Sequence, residues 1–462
     1  MISLSLWQWI YRILIIIANL VFFIYSDPIA IIWLVGLTLL GYAMGLELGE
    51  RLKTCEIPGN RTEGRGKCKN ILIITIVLIV GVLVFFKYGD LVTGQRFIVP
   101  LGLSYYSLMI IGYLIDVYRG EVECEKNILI FSLYVGFFPQ ATAGPIGRAK
   151  ELLNNYRKRI TVSPQDVKIG LLMITLGVYE KFVMADNLSM VVDNIVRSQA
   201  KGTTLAVAFL LYSLVIYYDF AGYSQIAIGI GRLMGIRLMD NFHAPYLATS
   251  LKDFWRRWHI SLSSWFRDYL YIPLGGSRRG YLRQILGILL VFILSGAWHG
   301  QALGFWMWGL IHGVSLVIEN CFRRLFKNIK CASKAVIIPL NMLKRIAVFM
   351  LVSFAWIPFY AGDVDKAFSI YGRLFSADTE FAAQIINGFG LRVEVWIVIG
   401  ISVLLYLFIS ILDEQYKYTL YEKIADHGWI ILILAIDMYT VLLLAGVYGS
   451  EYDAATFIYG GF

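Results

Sequence analysis

The chain alternates between long apolar runs and short polar segments that are rich in Lys and Arg. A helix needs roughly 17–25 predominantly apolar residues to cross the hydrocarbon core of a bilayer. Eleven runs approach or reach that length, and they are centred in 6–25, 28–48, 71–88, 100–118, 168–184, 204–220, 284–298, 302–319, 346–360, 395–412 and 429–448. The pattern predicts an all-α polytopic membrane protein with about eleven transmembrane helices.

The composition supports this prediction and narrows the class of protein. Of the 462 residues, 58% are hydrophobic and only 16% are charged, whereas soluble domains run near 45–50% and about 25%. No polar block of domain size interrupts the runs between Leu6 and Val447, so we predict one multi-spanning domain over 1–462. The first run, Leu6–Ile24, lacks a small-residue cleavage site and is expected to stay as an anchor. No internal repeat is evident, which argues against a transporter built from repeats.

The positive charge of the chain is concentrated in the loops between the runs. The formal net charge is +9, but this clustering indicates membrane topology, and we expect no nucleic-acid partner. Four loops carry most of the Lys and Arg: 51–69, 147–159, 252–283 and 323–345. The positive-inside rule places all four in the cytoplasm. This predicts a plasma-membrane protein with a cytoplasmic N-terminus and a C-terminus outside the cell.

Two apolar stretches, 127–143 and 222–238, do not fit as crossings, because counting either would move a basic loop to the wrong side. The first contains Pro139, and the second contains four glycines and Arg232. Irregular backbone at membrane depth is tolerated only where protein or a water-filled cavity covers it. We therefore expect two re-entrant segments around a cavity. The alternative is a pair of amphipathic helices along the cytoplasmic face.

Histidines supply the clearest candidate for chemistry. The chain has five, at His243, His259, His299, His312 and His427. Two of them, His299 and His312, stand in strongly apolar surroundings, where an ionisable side chain is costly and marks a functional site by default. Imidazole also suits general-base work near neutral pH. We predict His299 as the catalytic base, with His312 and His259 as second catalytic or substrate-orienting residues. The alternative is that each one hydrogen-bonds a neighbouring helix.

The neighbours of His299 allow two interpretations. Gly296 and Gly300 permit close approach of a substrate, but a spacing of four residues is also typical of a helix-packing face. Trp298 and, further upstream, Trp255 are predicted to line the channel, although tryptophans also gather at membrane interfaces for other reasons.

The segment 251–270 is amphipathic and basic. We predict that Lys252, Arg256, Arg257 and Arg267 bind the phosphates of a donor that arrives from the cytoplasm. The alternative is an interfacial helix whose arginines reach lipid phosphates. The five cysteines form no CxxC pair or metal-like cluster, so we expect no metal and no permanently bound cofactor. The expected co-substrate is acetyl-CoA or another acyl thioester, and acyl transfer assisted by histidine is the simplest chemistry.

Several blocks of the sequence resemble the membrane-bound O-acyltransferase family, in particular its bacterial branch of alginate O-acetylases and D-alanyl transfer proteins. The blocks occur in the family's order at Pro100–Tyr106, Tyr113–Gly120, Phe137–Ile146, Asp253–His259, Trp265–Gly276 and Ser295–Gly300. The resemblance covers most of the chain, and 251–320 contains the core blocks.

The resemblance implies a ring of tilted helices around a thin centre that is pierced by a channel. It implies that His299, in the Trp-His-Gly block, is catalytic. It further implies transfer of an acyl group from acetyl-CoA or an acyl carrier protein to hydroxyls of an exported polysaccharide, directly or through a secreted acetyltransferase partner. The block Tyr271–Gly276 favours acetyl over D-alanyl transfer. The last residues, 457–462, depart from the family's aromatic-rich tail. D-alanyl transfer to teichoic acid and a non-enzymatic channel remain the alternatives.

Overall fold

The computed structural model describes residues 4–55, 61–95, 97–141, 143–325, 334–379, 381–416 and 420–448. Every regular element within these ranges is helical. The α-helices are α1 (Leu4–Ser26), α2 (Ala30–Cys55), α3 (Arg61–Thr93), α4 (Leu103–Arg119), α5 (Ile128–Gly136), α6 (Phe138–Ala141), α7 (Ala149–Arg157), α8 (Pro164–Tyr179), α9 (Asp186–Arg197), α10 (Gly202–Leu233), α11 (Leu251–Arg257), α12 (Ile260–Phe266), α13 (Tyr281–His299), α14 (Leu303–Leu325), α15 (Lys334–Ala361), α16 (Val364–Leu374), α17 (Phe381–Ile386), α18 (Val393–Tyr416), α19 (Leu420–Asp426) and α20 (Gly428–Ala445). Two π-helical turns lie at Glu180–Ala185 and Arg267–Tyr271.

Eight helices in the described part of the chain are long and apolar enough to cross a membrane. They are Leu6–Ser26, Ala30–Thr54, Gly64–Thr93, Gly202–Leu233, Tyr281–His299, Ile337–Ala361, Val393–Leu412 and Gly428–Ala445. The other three predicted runs are also helical: α4 and α8 have 17 and 16 residues, and α14 has 23 residues but carries His312, Glu319 and Asn320. The prediction of an all-α polytopic membrane protein is confirmed.

The stretch 127–143 is broken as the sequence predicted. It forms α5 and α6, which are nine and four residues long, far short of the roughly 20 residues that a crossing needs. Most of their side chains are buried in the protein, which agrees with irregular backbone covered by protein.

The prediction that 222–238 is a re-entrant segment separate from the run 204–220 is wrong, because α10 continues without interruption from Gly202 to Leu233. Gly222 serves helix packing instead. A Cβ atom built on Gly222 would lie 2.7 Å from the carbonyl oxygen of Gly177 on α8, so the absence of side chains lets the two helices approach closely. Only Gly235 acts as a helix terminator: its φ is +66°, and the N–H of Ile236 donates to the carbonyl of Gly231.

The described residues divide into two compact units. The sequence predicted one domain over 1–462 and made no statement about units within it. The first comprises 1–170 and 227–239, and the second comprises 171–226 and most of the chain from 240 onward. In the first unit, α4 packs against α2 and α3 and is buried over most of its length. That prediction of one domain stays a prediction.

In the second unit, α13 and α14 form a hairpin that joins through 300–302. A Cβ atom on Gly296 would lie 2.4 Å from the carbonyl oxygen of Phe305, and one on Gly309 would lie 2.3 Å from that of Phe292. Small residues thus allow the two backbones to approach closely, which agrees with the interpretation of Gly296 as part of a helix-packing face. Beside this hairpin lie two seven-residue helices, α11 and α12.

Candidate active site

A cavity of about 750 Å³ lies within the second unit, and its volume is in the range of small-molecule sites. Its walls come from α11, α12, the turn Arg267–Tyr271, the loop 272–280, α13 and α14. The cavity combines an exposed end that is rich in cations with a buried end that is rich in aromatic rings.

One face of α13 forms the long wall of the cavity. The lining residues of this helix recur at helical spacing and are Gln284, Ile288, Val291, Phe292, Ser295 and His299. The stripe runs over 16 residues, from Gln284 to His299, and the 15 steps between its ends amount to about 22 Å at 1.5 Å per residue. Because Gln284 lies next to the loop 272–280 and His299 is the last residue of α13, the cavity connects that loop with the buried histidine.

The exposed end of the cavity is positively charged. Its lining includes five exposed cations, namely Lys252, Arg256, Arg267, Arg278 and Arg279. Among the described residues that line the cavity there is no Asp or Glu. Partial burial and the charges of Arg256 and Arg323 lower the pKa of Lys252, as expected where like charges gather. This end, which we call the cationic mouth, suits an anionic group such as a phosphate.

The four predicted donor-binding residues do not all reach the cavity. Lys252, Arg256 and Arg267 line it, but Arg257 does not. The Nε of Arg257 instead donates to the Oδ1 of Asp253 at 3.0 Å, one turn earlier on α11. Arg257 therefore stabilises α11 rather than facing the cavity. Arg267 is also paired, since its Nε lies 2.7 Å from the Oδ1 of Asp268.

His299 lies at the buried end and is 3% exposed. Its ring centroid is 5.0 Å from that of Trp298, 5.2 Å from that of Trp308 and 5.2 Å from that of Phe359. The aromatic rings exclude bulk water from the imidazole on these sides while the cavity leaves one approach open. In surroundings with little water, hydrogen bonds and charge interactions of the imidazole are stronger than in bulk water.

His312 is buried beside this end but does not line the cavity. Neither of its ring nitrogens has a hydrogen-bond partner in the described part of the chain, so the interpretation of an interhelical hydrogen bond finds no support there. Its ring packs 5.0 Å from Trp255 and 5.3 Å from Trp308, between centroids. Trp308 thus contacts the rings of both His312 and His299.

His259 lines the cavity from the junction of α11 and α12. It adopts a left-handed conformation with φ of +43°, and its Nδ1 lies 3.5 Å from the Oγ of Ser261. That hydroxyl donates to the Oδ1 of Asn241 at 2.6 Å. Burial lowers the pKa of His259 to about 3, so the imidazole is neutral near pH 7 and does not add to the positive charge of the cavity.

The two predicted channel tryptophans differ. Trp255 lines the cavity and its ring contacts that of Phe292, whereas Trp298 does not line it. Trp298 instead packs against His299 and, at 6.3 Å between ring centroids, against His259.

Sequence reasoning missed several lining residues. Arg278 and Arg279 belong to the cationic mouth, and Asn320 adds an amide from α14. A signal for the first two was present, because the basic pair follows Gly275 and Gly276 after a single residue, Ser277. These glycines have positive φ, so the loop turns sharply there and brings the pair to the cavity.

A polytopic helical protein with a buried histidine at the end of a cation-lined cavity has the arrangement expected of a membrane enzyme. Residues 125–359 match the model of the membrane-bound O-acyltransferase family. The chain is 34% identical over 385 residues to a probable alginate O-acetylase, AlgI, of Pseudomonas aeruginosa, covering 80% of this chain and 70% of that protein. The chain belongs to the membrane-bound O-acyltransferase family.

Two further relatives show the range of the family. A peptidoglycan O-acetyltransferase of Helicobacter pylori is 29% identical over 402 residues, which cover 78% of this chain and 72% of that protein. A teichoic acid D-alanyltransferase of Bacillus subtilis is 29% identical over 243 residues, which cover 50% of this chain and 61% of that protein. The protein is therefore a multi-pass membrane O-acyltransferase, and the predicted enzyme class is confirmed.

Proposed function

We propose that this O-acyltransferase takes an acetyl group from a cytoplasmic thioester, acetyl-CoA, and passes it toward hydroxyls of an exported cell-surface polysaccharide. The observation that carries the proposal is the continuity of the cavity, which joins the cationic mouth to His299 along one face of α13. The similarity to an alginate O-acetylase over 80% of the chain supports acetyl as the acyl group and a polysaccharide as the acceptor.

The cationic mouth supports an anionic donor. Acetyl-CoA carries phosphates, and arginine forks bind phosphate oxygens through charge-assisted hydrogen bonds. Arg256, Arg278 and Arg279 are exposed and line the mouth, where they are available to such a ligand. The loop 252–283, which contains all three, is predicted to be cytoplasmic. A donor held there extends its thioester arm along the stripe of α13 toward His299.

In the chemical step His299 accepts the proton of the acceptor hydroxyl as that oxygen attacks the thioester carbonyl carbon. The new C–O bond forms, the C–S bond breaks, and the departing thiolate takes the proton back from the imidazolium. The products are an ester and a free thiol, and the imidazole is regenerated. The aromatic rings around His299 exclude water, which otherwise competes with the acceptor and hydrolyses the thioester.

Two further parts of the same proposal are the acceptor and the route to it. The acceptor is an exported polysaccharide, and the acetyl group reaches it directly or through a secreted acetyltransferase partner. Both parts rest on the predicted topology, which puts the end of α13 with His299 toward the outside. The bilayer is the remaining partner, in keeping with the spans of a multi-pass protein.

Comparison of cell-envelope glycans tests this function. Mass spectrometry is applied to glycans from cells with the gene, without it, and with it restored. The proposal expects O-acetyl esters on a polysaccharide that disappear on deletion and return on restoration. Loss of D-alanyl esters from teichoic acid instead overturns the acetyl assignment and indicates a carrier-protein donor at the cationic mouth.

A further inference from the structure

A second cavity, which is polar, lies in the first unit and shares no lining residue with the candidate active site. It has a volume of about 280 Å³, slightly below the roughly 300–1,000 Å³ of sites for drug-sized ligands. Residues from the end of α7, the following loop, the start of α8 and the end of α10 line it, and they are Asn155, Lys158, Arg159, Ile160, Thr161, Asp166, Arg232, Gly235 and Arg237. Its size suits a phosphate headgroup better than a whole nucleotide.

The charges of this cavity favour an anion. Four cations and one carboxylate line it, which leaves a formal excess of three positive charges. The carboxylate, Asp166, is already engaged. Its Oδ1 lies 3.4 Å from Arg237 and 3.7 Å from Arg232, and its Oδ2 accepts from the hydroxyl of Ser163 at 2.6 Å. Asp166 therefore holds two guanidinium groups in place, and Lys158 and Arg159 are left to meet a ligand.

Backbone carbonyls at the end of α7 do not oppose an anion here. Helix C-termini leave carbonyl oxygens without intrahelical partners, but Arg12 from α1 donates to the carbonyls of Arg157 and Lys158 at 3.2 and 3.3 Å. The partial negative charge of the helix end is thereby offset from within the protein.

The position of the cavity indicates where its ligand comes from. Gln8 of α1 exchanges two hydrogen bonds with the backbone of Ile160, at 3.1 and 2.9 Å, and the hydroxyl of Tyr11 donates to the carbonyl of Met234 at 3.1 Å. These residues lie in the first two described turns of a membrane-crossing helix. The guanidinium of Arg12 also packs over Trp9, 5.3 Å from its ring centroid, and tryptophan is enriched at the membrane interface. The cavity therefore lies at the level of the lipid headgroups.

We propose that this cavity binds the phosphate of an anionic membrane lipid. Basic pockets at the cytoplasmic ends of transmembrane helices bind such headgroups. A bound lipid ties α1 to the loop 158–161 and to the end of α10.

The test uses the purified full chain after detergent washing, with phosphatidylglycerol, phosphatidylcholine or inorganic phosphate as the probe. Native mass spectrometry measures the lipid retained, and thermal unfolding measures the stabilisation that the lipid confers. The variant is Lys158→Gln with Arg159→Gln, because these side chains lie outside the Asp166 pairs. The control is Arg51→Gln with Lys53→Gln, which removes the same charge from exposed positions of α2.

We expect the unsubstituted protein and the control to retain phosphatidylglycerol over phosphatidylcholine, and the cavity variant to bind it about tenfold more weakly or worse, as for a lost charge-assisted hydrogen bond. Equal retention by the cavity variant and the control overturns the proposal. Displacement of the lipid by millimolar inorganic phosphate also overturns it, because the site then belongs to a soluble anion.

Discussion

The two ends of the large cavity are built in opposite ways. At the cationic mouth the lining side chains are long, charged and exposed, and a glycine-bearing loop presents two of them. At the other end the lining is buried and packed, with His299 3% and Trp308 2% exposed. An exposed cation is solvated and mobile, so it attracts and holds an anion without fixing atomic positions. A buried imidazole among rings has one orientation and little water, which is what proton transfer requires.

This contrast assigns binding to one end and chemistry to the other. Substitutions at the mouth should change donor affinity with little effect on protein stability or on the chemical step. Substitutions at the buried end should change turnover or stability. The predictions below test that division in order of decreasing effect.

The largest effect is expected for His299→Gln, which removes the general base while keeping a polar side chain of similar size. Turnover should fall by about 10²–10⁴-fold, with donor affinity and thermal midpoint near those of the unsubstituted protein. Acyl transfer by purified protein measures the first quantity, and equilibrium donor binding measures the second. His312→Gln is the comparison, since His312 does not line the cavity. An equal loss in both variants contradicts the assignment of chemistry to His299 alone.

Gly309→Ala should lower stability through the packing of α13 against α14, because Gly309 itself does not line the cavity. Its new Cβ would lie 2.3 Å from the carbonyl oxygen of Phe292, so α13 and α14 must separate, at a cost of up to about 3 kcal/mol. The thermal midpoint in detergent measures the loss, and Ser277→Ala at the exposed mouth is the control. A midpoint unchanged by Gly309→Ala shows that the hairpin is not closely packed.

His259 should make stability depend on pH. Because burial lowers its pKa in the folded state to about 3, from an ordinary value of about 6.5, the unfolded chain binds the proton first as the pH falls. The neutral imidazole contributes its full share of the free energy of unfolding above about pH 6.5, and this contribution is lost progressively as the pH falls toward 3. At pH 5 the loss is about 2 kcal/mol.

The thermal midpoint at pH 7.5 and pH 5 tests this point. His259→Asn should reduce the difference between the two midpoints, whereas the exposed His427→Asn should not. The same pH dependence in His259→Asn as in the unsubstituted protein means that other groups cause it.

The smallest of these effects is expected at the mouth. Arg278→Gln with Arg279→Gln should weaken donor binding about tenfold, by the loss of charge-assisted hydrogen bonds, while turnover at saturating donor stays unchanged. Arg283→Gln, in the first turn of α13 and outside the cavity wall, should leave both quantities unchanged. A fall in saturated turnover in the Arg278 and Arg279 variant moves part of the chemistry to the mouth.

Much of this arrangement is predictable from sequence, and the exceptions have identifiable causes. Lys252, Trp255 and Arg256 share one face of α11 at spacings of three and four residues, which a helical pattern predicts. Arg257 lies about 100° further around the helix, so it misses the cavity. The sharp bend after Trp258 escapes sequence reasoning, because His259 takes a left-handed conformation that glycine or asparagine ordinarily provides.

The continuity of α10 is a second exception. Glycines inside a helix cost roughly 1 kcal/mol each relative to alanine, and this made a break at Gly222 the natural prediction. The compensation comes from Gly177, far away in sequence, which packs against it. Helix propensity depends on the residue type alone and does not include a contact with a residue far away in the sequence.

Transport of label through oriented membranes tests the central claim most directly. Inverted membrane vesicles expose the cytoplasmic face, and acetyl-CoA labelled in the acetyl group is supplied to that face alone. An acceptor polysaccharide and the secreted acetyltransferase partner are sealed in the lumen. The account predicts labelled ester on the lumenal acceptor for the unsubstituted protein, and none for His299→Gln, although this variant binds donor normally. Labelled lumenal ester in His299→Gln at the unsubstituted rate, or labelling that occurs only when the donor is sealed in the lumen, would contradict a path from the cationic mouth to His299.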